Sequence, residues 1–491
     1  MRPAPDPENR HRTAKAAKNA KRTKNTSFHI LLCECYRIKP VLKVLKVPID
    51  KKAVSPSNGS ELMSEMVYHR KETAMTVNSL MQKRSAIKPD TLIVGVDLAK
   101  FHHVARTLVP GGAIGRPLEF SNSREGFLAL SAEIEARRPT PASAVIVGLE
   151  STGVYWINLA RWLTEHGCQV VQVSGLYVHR AKELTDNSRG TSDGKDALLI
   201  ADLVAQGKYL GFVRHAGVLA DLRQLVGLRQ RLVHERAARY NLLHQSVDLL
   251  FPEFVTVFRD VTGLSARRVL RCFPTPAAAL AHPPDEMRRL LSEDGRVRVS
   301  VAKLALLQAA AQQSIGAREG TAGMEYALND TLQQLDSFDA RVRQVEAEIG
   351  RLLPQVDETP ILTSLVGQMT AAIILGETGG LKQYRCAAAV LKLAGLNLYQ
   401  ISSGQYCGNR HISQMGRPLL RQALYFAVLQ HTHPGTPLYP YYAELLRRGK
   451  PKPVALIALC CRLVRLLYAL VRDGRCYSAQ PPEKNRQTLA V

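Results

Sequence analysis

The 491-residue chain is short of acid and of organised cysteine, and it lacks any long charge-free apolar run. Asp and Glu number 42 against 66 Lys and Arg, which leaves a formal charge of +24. A surplus of that size argues for an acidic polymer as partner, nucleic acid before an anionic membrane surface. No stretch of about 18 apolar residues is free of charge, so a membrane span is not expected. The charged N-terminal stretch has no apolar segment followed by a small-residue cleavage site, so no secretory signal is expected either. The nine cysteines are scattered. Cys33 and Cys35 form a lone CxC and Cys460 adjoins Cys461, but no second pair stands at zinc-ligand spacing. They read as reduced thiols rather than a disulfide or zinc framework.

What is present is an ordinary globular composition, 46% apolar and 22% charged, in a length that suggests about three domains. The charge is uneven: residues 1–90 hold 19 basic and 8 acidic side chains, or +11. That segment is expected to be a basic, disordered leader. From Thr91 the pattern becomes regular. TLIVGVD and HHVARTLV read as strands, a weaker one follows at 115–120, and the three are joined by short turns. Ser123 is placed to cap a helix over 124–137 with Phe127, Leu130 and Ile134 on one face. SAVIVGLE is a fourth strand, the stretch to Gly167 is helical, CQVVQVS is a fifth strand, and helices follow at 176–184 and 194–206. The order βββαβαβα is that of an α/β RNase H-like (RuvC-like) domain over 91–210.

Beyond it, 211–356 is a helical, coiled-coil region. Leu222, Leu225, Leu228, Leu232 and Leu243 line one face of 219–250, with Arg223, Arg229, Arg231, Arg236 and Arg239 on the polar positions. Leu328 to Leu352 repeats nearly in heptads. Pairing of these two segments with each other, or with a second subunit, is left open by the pattern. The arginines and the loop described next are where the charge excess is expected to hold nucleic acid. A mostly α-helical C-terminal domain, 357–477, opens with a helix-hairpin-helix-like LVGQMTAAIILGETG, whose glycine turn can offer N–H groups to a phosphate. It continues through a polar loop containing Ser402-Ser403-Gly404, and residues 478–491 form a polar tail.

The acids carry the chemistry best. Asp97 ends the first strand and Glu150 the fourth; Asp193 and Asp196 stand three apart at a helix start and share a face. In an RNase H-like sheet the first and fourth strands are neighbours, and the helix crosses their ends. Four carboxylates gathered there would need cations, and hard oxygen donors suit Mg²⁺ or Mn²⁺ acting on a phosphodiester. Taken singly, each acid has a plainer use, such as capping a helix. Asp186 and Asp202 are less well placed, and His102 and His103 read as strand alternation. A serine hydroxyl needs activation to attack, and Arg410, His411, Arg417 and Arg421 supply positive charge near the SSG loop.

GVDLAK, GLESTGVYW, SDGKDALLIADL, LVGQMTAAIILGETG, the SSG loop, HISQMGRPLLRQAL and LVRDGRCY occur in this order. Over 91–477 the chain resembles the DEDD transposases of the one-ten family of bacterial insertion sequences, which includes the Piv/MooV-type invertases. The resemblance implies a RuvC-like domain and a C-terminal transposase domain joined by a coiled coil. It makes Asp97, Glu150, Asp193 and Asp196 the metal ligands and Ser403, with Ser402 as alternative, the nucleophile that forms a phosphoserine bond to DNA. It further implies a structured bridge RNA as guide and a homo-oligomer, dimer or tetramer, in the bacterial cytoplasm at the nucleoid. Leu365, Gln368, Leu398, Gln414 and Arg417 stand where family members carry glycine, proline, proline, lysine and asparagine. Two other functions are compatible with the residues alone: a RuvC-like endonuclease using metal-activated water, and a degenerate nucleic-acid-binding copy.

Overall fold

The computed structural model describes residues 80–112, 114–150, 153–185, 193–213, 215–292, 299–403 and 406–478. Most of the expected leader, the flanks Ser151 and Thr152, Asp186, Gly404 and nearly all of the tail lie outside these. The chain divides into two compact units that meet in sequence at Arg214 and His215.

The first unit is built on a six-stranded mixed sheet. β1 (Leu92–Leu98), β2 (His102–Leu108) and β3 (Leu118–Ser121) form an antiparallel meander. Helix α1 (Arg124–Arg137) begins at Ser123, whose hydroxyl accepts from the Gly126 N–H at 3.3 Å, and it buries Phe127, Leu130 and Ile134 as their spacing requires. β4 (Val145–Glu150) lies parallel to β1, and α2 (Trp156–Glu165) leads to β5 (Gln169–Val173), parallel to β4. Helices α3 (Gly175–Thr185) and α4 (Asp193–Ala205) precede β6 (Leu210–Gly211), an edge strand too short to leave a pattern in sequence. The strand order is β3-β2-β1-β4-β5-β6. The central strands are apolar on both faces because each face is covered. One core joins Leu92, Val94 and Val96 to α1 and α2; the other joins Ile93, Ile146 and Val171 to α4. The regular fold starts earlier than Thr91: residues 80–86 are helical, the Lys83 ammonium lies over the Tyr209 ring, and Ile87 packs on the second core.

In the second unit α5 (Val218–Leu250) is followed by α6 (Leu264–Cys272), α7 (Pro284–Ser292), α8 (Val301–Gln312) and α9 (Thr321–Leu352). The two long helices pair with each other. Arg229 meets Glu346 at 2.6 Å and Arg236 meets Asp339 at 2.8 Å, so partners run in opposite directions and the pair is antiparallel. Leu232, Val233 and Val342 fill its middle. One end joins α6–α8 around Phe251, Phe254 and Phe273. The other end enters the C-terminal core. That core holds α10 (Gln368–Thr378), α11 (Ala387–Ala394), α12 (Pro418–Leu429), α13 (Tyr439–Arg447) and α14 (Lys452–Arg472). By composition α14 is apolar enough to cross a membrane. Its burial explains that character: Leu459, Cys460, Leu463 and Leu467 are at most 1% exposed within this core.

Candidate active site

Asp97 and Glu150 sit at the carboxyl ends of neighbouring parallel strands, held there by the β1–β4 register that pairs Val96 with Leu149. What brings the other two acids to them is a pair of glycines. Gly95 and Gly148 face each other across β1 and β4. A Cβ on Gly95 would run into the Ala197 carbonyl and lie 2.5 Å from the Ala201 nitrogen; one on Gly148 would lie 2.5 Å from Val204 Cγ2. Their bare backbones let α4 rest directly on the sheet, which sets its first turn, with Asp193 and Asp196, over the strand ends. Gly175, the first residue of α3, has the same function for Glu150: a Cβ there would be 2.7 Å from Oε1.

The four carboxylates share one electrostatic field. The Asp97 carboxyl is pushed up from its ordinary value by burial first, then by the charges of Asp196 and Asp193. Glu150 is likewise raised by burial and by Asp97. A cation is the natural relief for such a set. Lys182, from α3, supplies one: its Nζ lies 2.6 Å from Asp196 Oδ2, and its charge lowers both Asp97 and Glu150. The donor set fits Mg²⁺ or Mn²⁺ chemically, being four hard carboxylates in a half-buried setting. Among the described residues, though, no three His, Cys, Asp or Glu side chains converge closely enough to hold an ion. Within the acid cluster the direct side-chain partner of Asp196 among the described residues is Lys182. His102 and His103 alternate as the strand pattern requires, His102 exposed and His103 fully buried, and neither joins the acids.

Ser402 and Ser403 belong to the other unit. β7 (Leu398–Tyr399) pairs with β10 (His411–Ile412), and between them β8 (Ser402–Ser403) pairs with β9 (Tyr406–Cys407). The register sets Ser403 opposite Tyr406, so both serines are exposed on a hairpin joined by two residues. Gln400 pins the base of this hairpin, its Nε2 donating to the Gly408 carbonyl at 2.8 Å. No hydrogen bond to either serine hydroxyl forms among the described residues. Arg410 and His411 are on the same β-rich loop, and the His411 ring lies 6.0 Å from that of Tyr399.

Arg417 and Arg421 are used inside the domain. Arg417 donates to the Glu377 carbonyl and lies 3.7 Å from its carboxylate, which Arg223 also contacts. Glu377 is 3% exposed, so the two guanidiniums supply the partners its burial demands. Burial, and then the like charge of Arg223, lowers Arg417 from its ordinary value. Arg421 donates to the carbonyls of Ala394 and Gln414. Arg417 is thus spent on Glu377 and Arg421 on the carbonyls that flank the serine loop, where sequence proximity had suggested a nucleic-acid contact. Gln414 itself adopts φ 55°, the left-handed region, and is the one non-glycine residue to do so among the described residues.

A family profile described as transposase, of the IS110 DEDD type, matches residues 94–252, and one described as transposase, IS116/IS110/IS902 family, matches 363–442. The chain belongs to the IS110/IS116 family of insertion-sequence transposases. It is 25% identical over 402 residues to a 43.6 kDa protein of insertion element IS110 from Streptomyces coelicolor, covering 80% of this chain and 96% of the relative. To a 44.8 kDa protein of insertion element IS116 from Streptomyces clavuligerus it is 27% identical over 400 residues, 80% and 98% of the two chains. An 83-residue stretch, 17% of this chain and 25% of the relative, is 36% identical to the pilin gene-inverting protein of Moraxella lacunata. Membership implies an enzyme that binds DNA, cleaves it and transfers the strands. The first profile takes in all four acids, and the second takes in both serines.

Proposed function

We propose that this transposase cuts and rejoins DNA with two groups of residues, the acids Asp97, Glu150, Asp193 and Asp196 and the nucleophile Ser403. The observation that carries the reading is that acids from β1, β4 and α4 lie near one another at the carboxyl ends of the two central strands, with Asp97 and Glu150 raised by burial and by their acidic neighbours. The four carboxylates would hold Mg²⁺ or Mn²⁺, which when bound supplies Lewis-acid polarisation of the scissile phosphate. Ser403 Oγ forms a bond to phosphorus as the phosphorus–oxygen bond to the sugar breaks. The serine proton passes to solvent, and the sugar oxygen leaves with its electron pair and takes up a proton from solvent to become a free hydroxyl. The phosphoserine keeps the energy of the broken bond, so a second DNA hydroxyl can take the phosphate and free the serine. Ser402, one residue away, points to the opposite side of its strand, and the residue directly before Gly404 is taken as the nucleophile.

The regions divide this work as a leader (1–90), a catalytic acid domain (91–210), a helical spacer with coiled-coil character (211–356), a serine domain (357–477) and a tail (478–491). The start of α10 at Gly367 is exposed and has no side-chain cap. It suits a DNA phosphate, as the helix-hairpin-helix reading requires. Arg410 and His411 are the nucleic-acid contacts on the serine loop. A bridge RNA guides target choice, and a homo-oligomer acts in the cytoplasm at the nucleoid.

Incubating the protein with element-end DNA and Mg²⁺ or Mn²⁺, then denaturing, should leave a covalent protein–DNA adduct. Ser403→Ala should lose the adduct while Ser402→Ala keeps it, and Asp97→Ala should lose both adduct and strand transfer. Cleavage with no adduct in the wild type would establish instead a hydrolytic, RuvC-like endonuclease.

A further inference from the structure

The Lys182 side chain has no part in the family's acid set, yet it is in direct contact with one of its members, Asp196. Its position follows from α3. Val178, one turn earlier, is 2% exposed and is buried in the core shared with Ile200 and Ala201 of α4. Residues four apart share a helix face, so seating Val178 turns Lys182 toward the first turn of α4, where Asp196 is. Lys182 also stands in the last turn of α3, where the helix dipole favours a positive charge. At the other end of the same helix Gly175 abuts the Glu150 carboxylate. One helix thus touches two of the four acids, one through bare backbone and one through an ammonium.

We propose that Lys182 is a built-in counter-cation that competes with the divalent ion for the Asp196 carboxylate, so that loading the site requires the ammonium to yield. The inference rests on the reading of the four acids as metal ligands. An ammonium at 2.6 Å from Oδ2 occupies the approach that an ion bonded to that oxygen at about 2.0–2.1 Å would need. Both cations cannot be in contact with the same lone pair. If the ammonium remained close by, the ion would be repelled. A unit charge and a divalent ion about 6 Å apart in a water-like medium repel by about 1.4 kcal/mol, or about tenfold in affinity. The benefit is to the protein before loading: one flexible side chain offsets the mutual repulsion of carboxylates that the fold has pressed together.

The test is a calorimetric Mn²⁺ titration of the full chain, with melting in chelator alongside. Lys182→Met should bind Mn²⁺ about tenfold more tightly than wild type and melt at a lower temperature in chelator. Lys182→Arg, which keeps the charge, should restore wild-type behaviour in both. Unchanged or weaker Mn²⁺ binding in Lys182→Met would overturn the proposal, weaker binding meaning that Lys182 merely holds Asp196 in place for the ion. If Mn²⁺ binding by the wild type is unaffected by Asp97→Asn and Asp196→Asn, the acid-site reading itself falls and this inference with it.

Discussion

His103 is the residue whose burial has the simplest thermodynamic consequence. Its side chain is fully enclosed, stacks edge-on with Phe120, and accepts the Ala99 N–H at Nδ1 over 3.3 Å. Burial lowers its proton affinity below the ordinary value of 6.5. The folded state therefore binds fewer protons than the unfolded chain once pH drops toward 6.5, and stability falls as pH falls further. A melting series from pH 7.5 to 5 should show this acid limb, and His103→Phe should flatten it; an unchanged limb would assign it elsewhere. His431 is buried, also lowered, and adds a limb of the same sign from the other unit. Two adjacent histidines were legible as an alternating strand pair. Which of them faced the core was not, because strand periodicity fixes opposite faces without saying which one is covered.

At the level of elements, the acid site depends on how closely α4 lies on the sheet. The residues that permit it are Gly95 and Gly148, which a reading centred on reactive side chains passes over. Each was visible as a glycine inside an apolar strand, a known mark of close backbone approach. Gly95→Ala should cost about 1–3 kcal/mol or more and disturb the acid cluster, because the new methyl meets helix backbone that cannot yield. Gly211→Ala, where a Cβ meets nothing within 4 Å, should stay within about 0.5 kcal/mol of wild type. Thermal melts of the two variants check the contrast; an equally mild Gly95→Ala would mean that α4 can lift off without loss. The capped helix α1 and the succession of strands and helices, by contrast, were expected from local signals, since a Ser cap and a short apolar run between turns act over a few residues.

On the scale of the whole molecule, the charge of +24 is distributed differently from the expectation that the helix arginines hold nucleic acid. Arg223, Arg229, Arg236 and Arg239 all make contacts within their own unit, with Glu377, Glu346, Asp339 and Gln334. Asp339 also receives Arg267 at 2.8 Å. The pairs made by Arg229, Arg236 and Arg239 lock the register of α5 on α9, and those of Arg223 and Arg267 tie α5 to α10 and α6 to α9, more than they offer charge to a polyanion. Arg236→Gln should therefore destabilise the fold, by about 1.5–3 kcal/mol, and leave the salt dependence of duplex binding unchanged. A true phosphate contact would lower the log–log salt slope by about 0.9. A lowered slope with an unchanged melting temperature would return this arginine to the nucleic-acid surface.

The sequence by itself determined the succession of the first five strands and their helices in the RNase H-like unit, the heptad spacing of the long helices, and the six motifs and serine loop by which the family resemblance was seen. All of these are written in short-range patterns of size, polarity and turn chemistry. Only the tertiary structure decided that α5 pairs with α9 in the same chain, that Arg417 and Arg421 face inward, and that Lys182 reaches Asp196. Each of those depends on which surfaces are left to meet after the local elements form. A charged side chain finds its partner across tens or hundreds of residues, by desolvation and Coulomb attraction that no local spacing encodes.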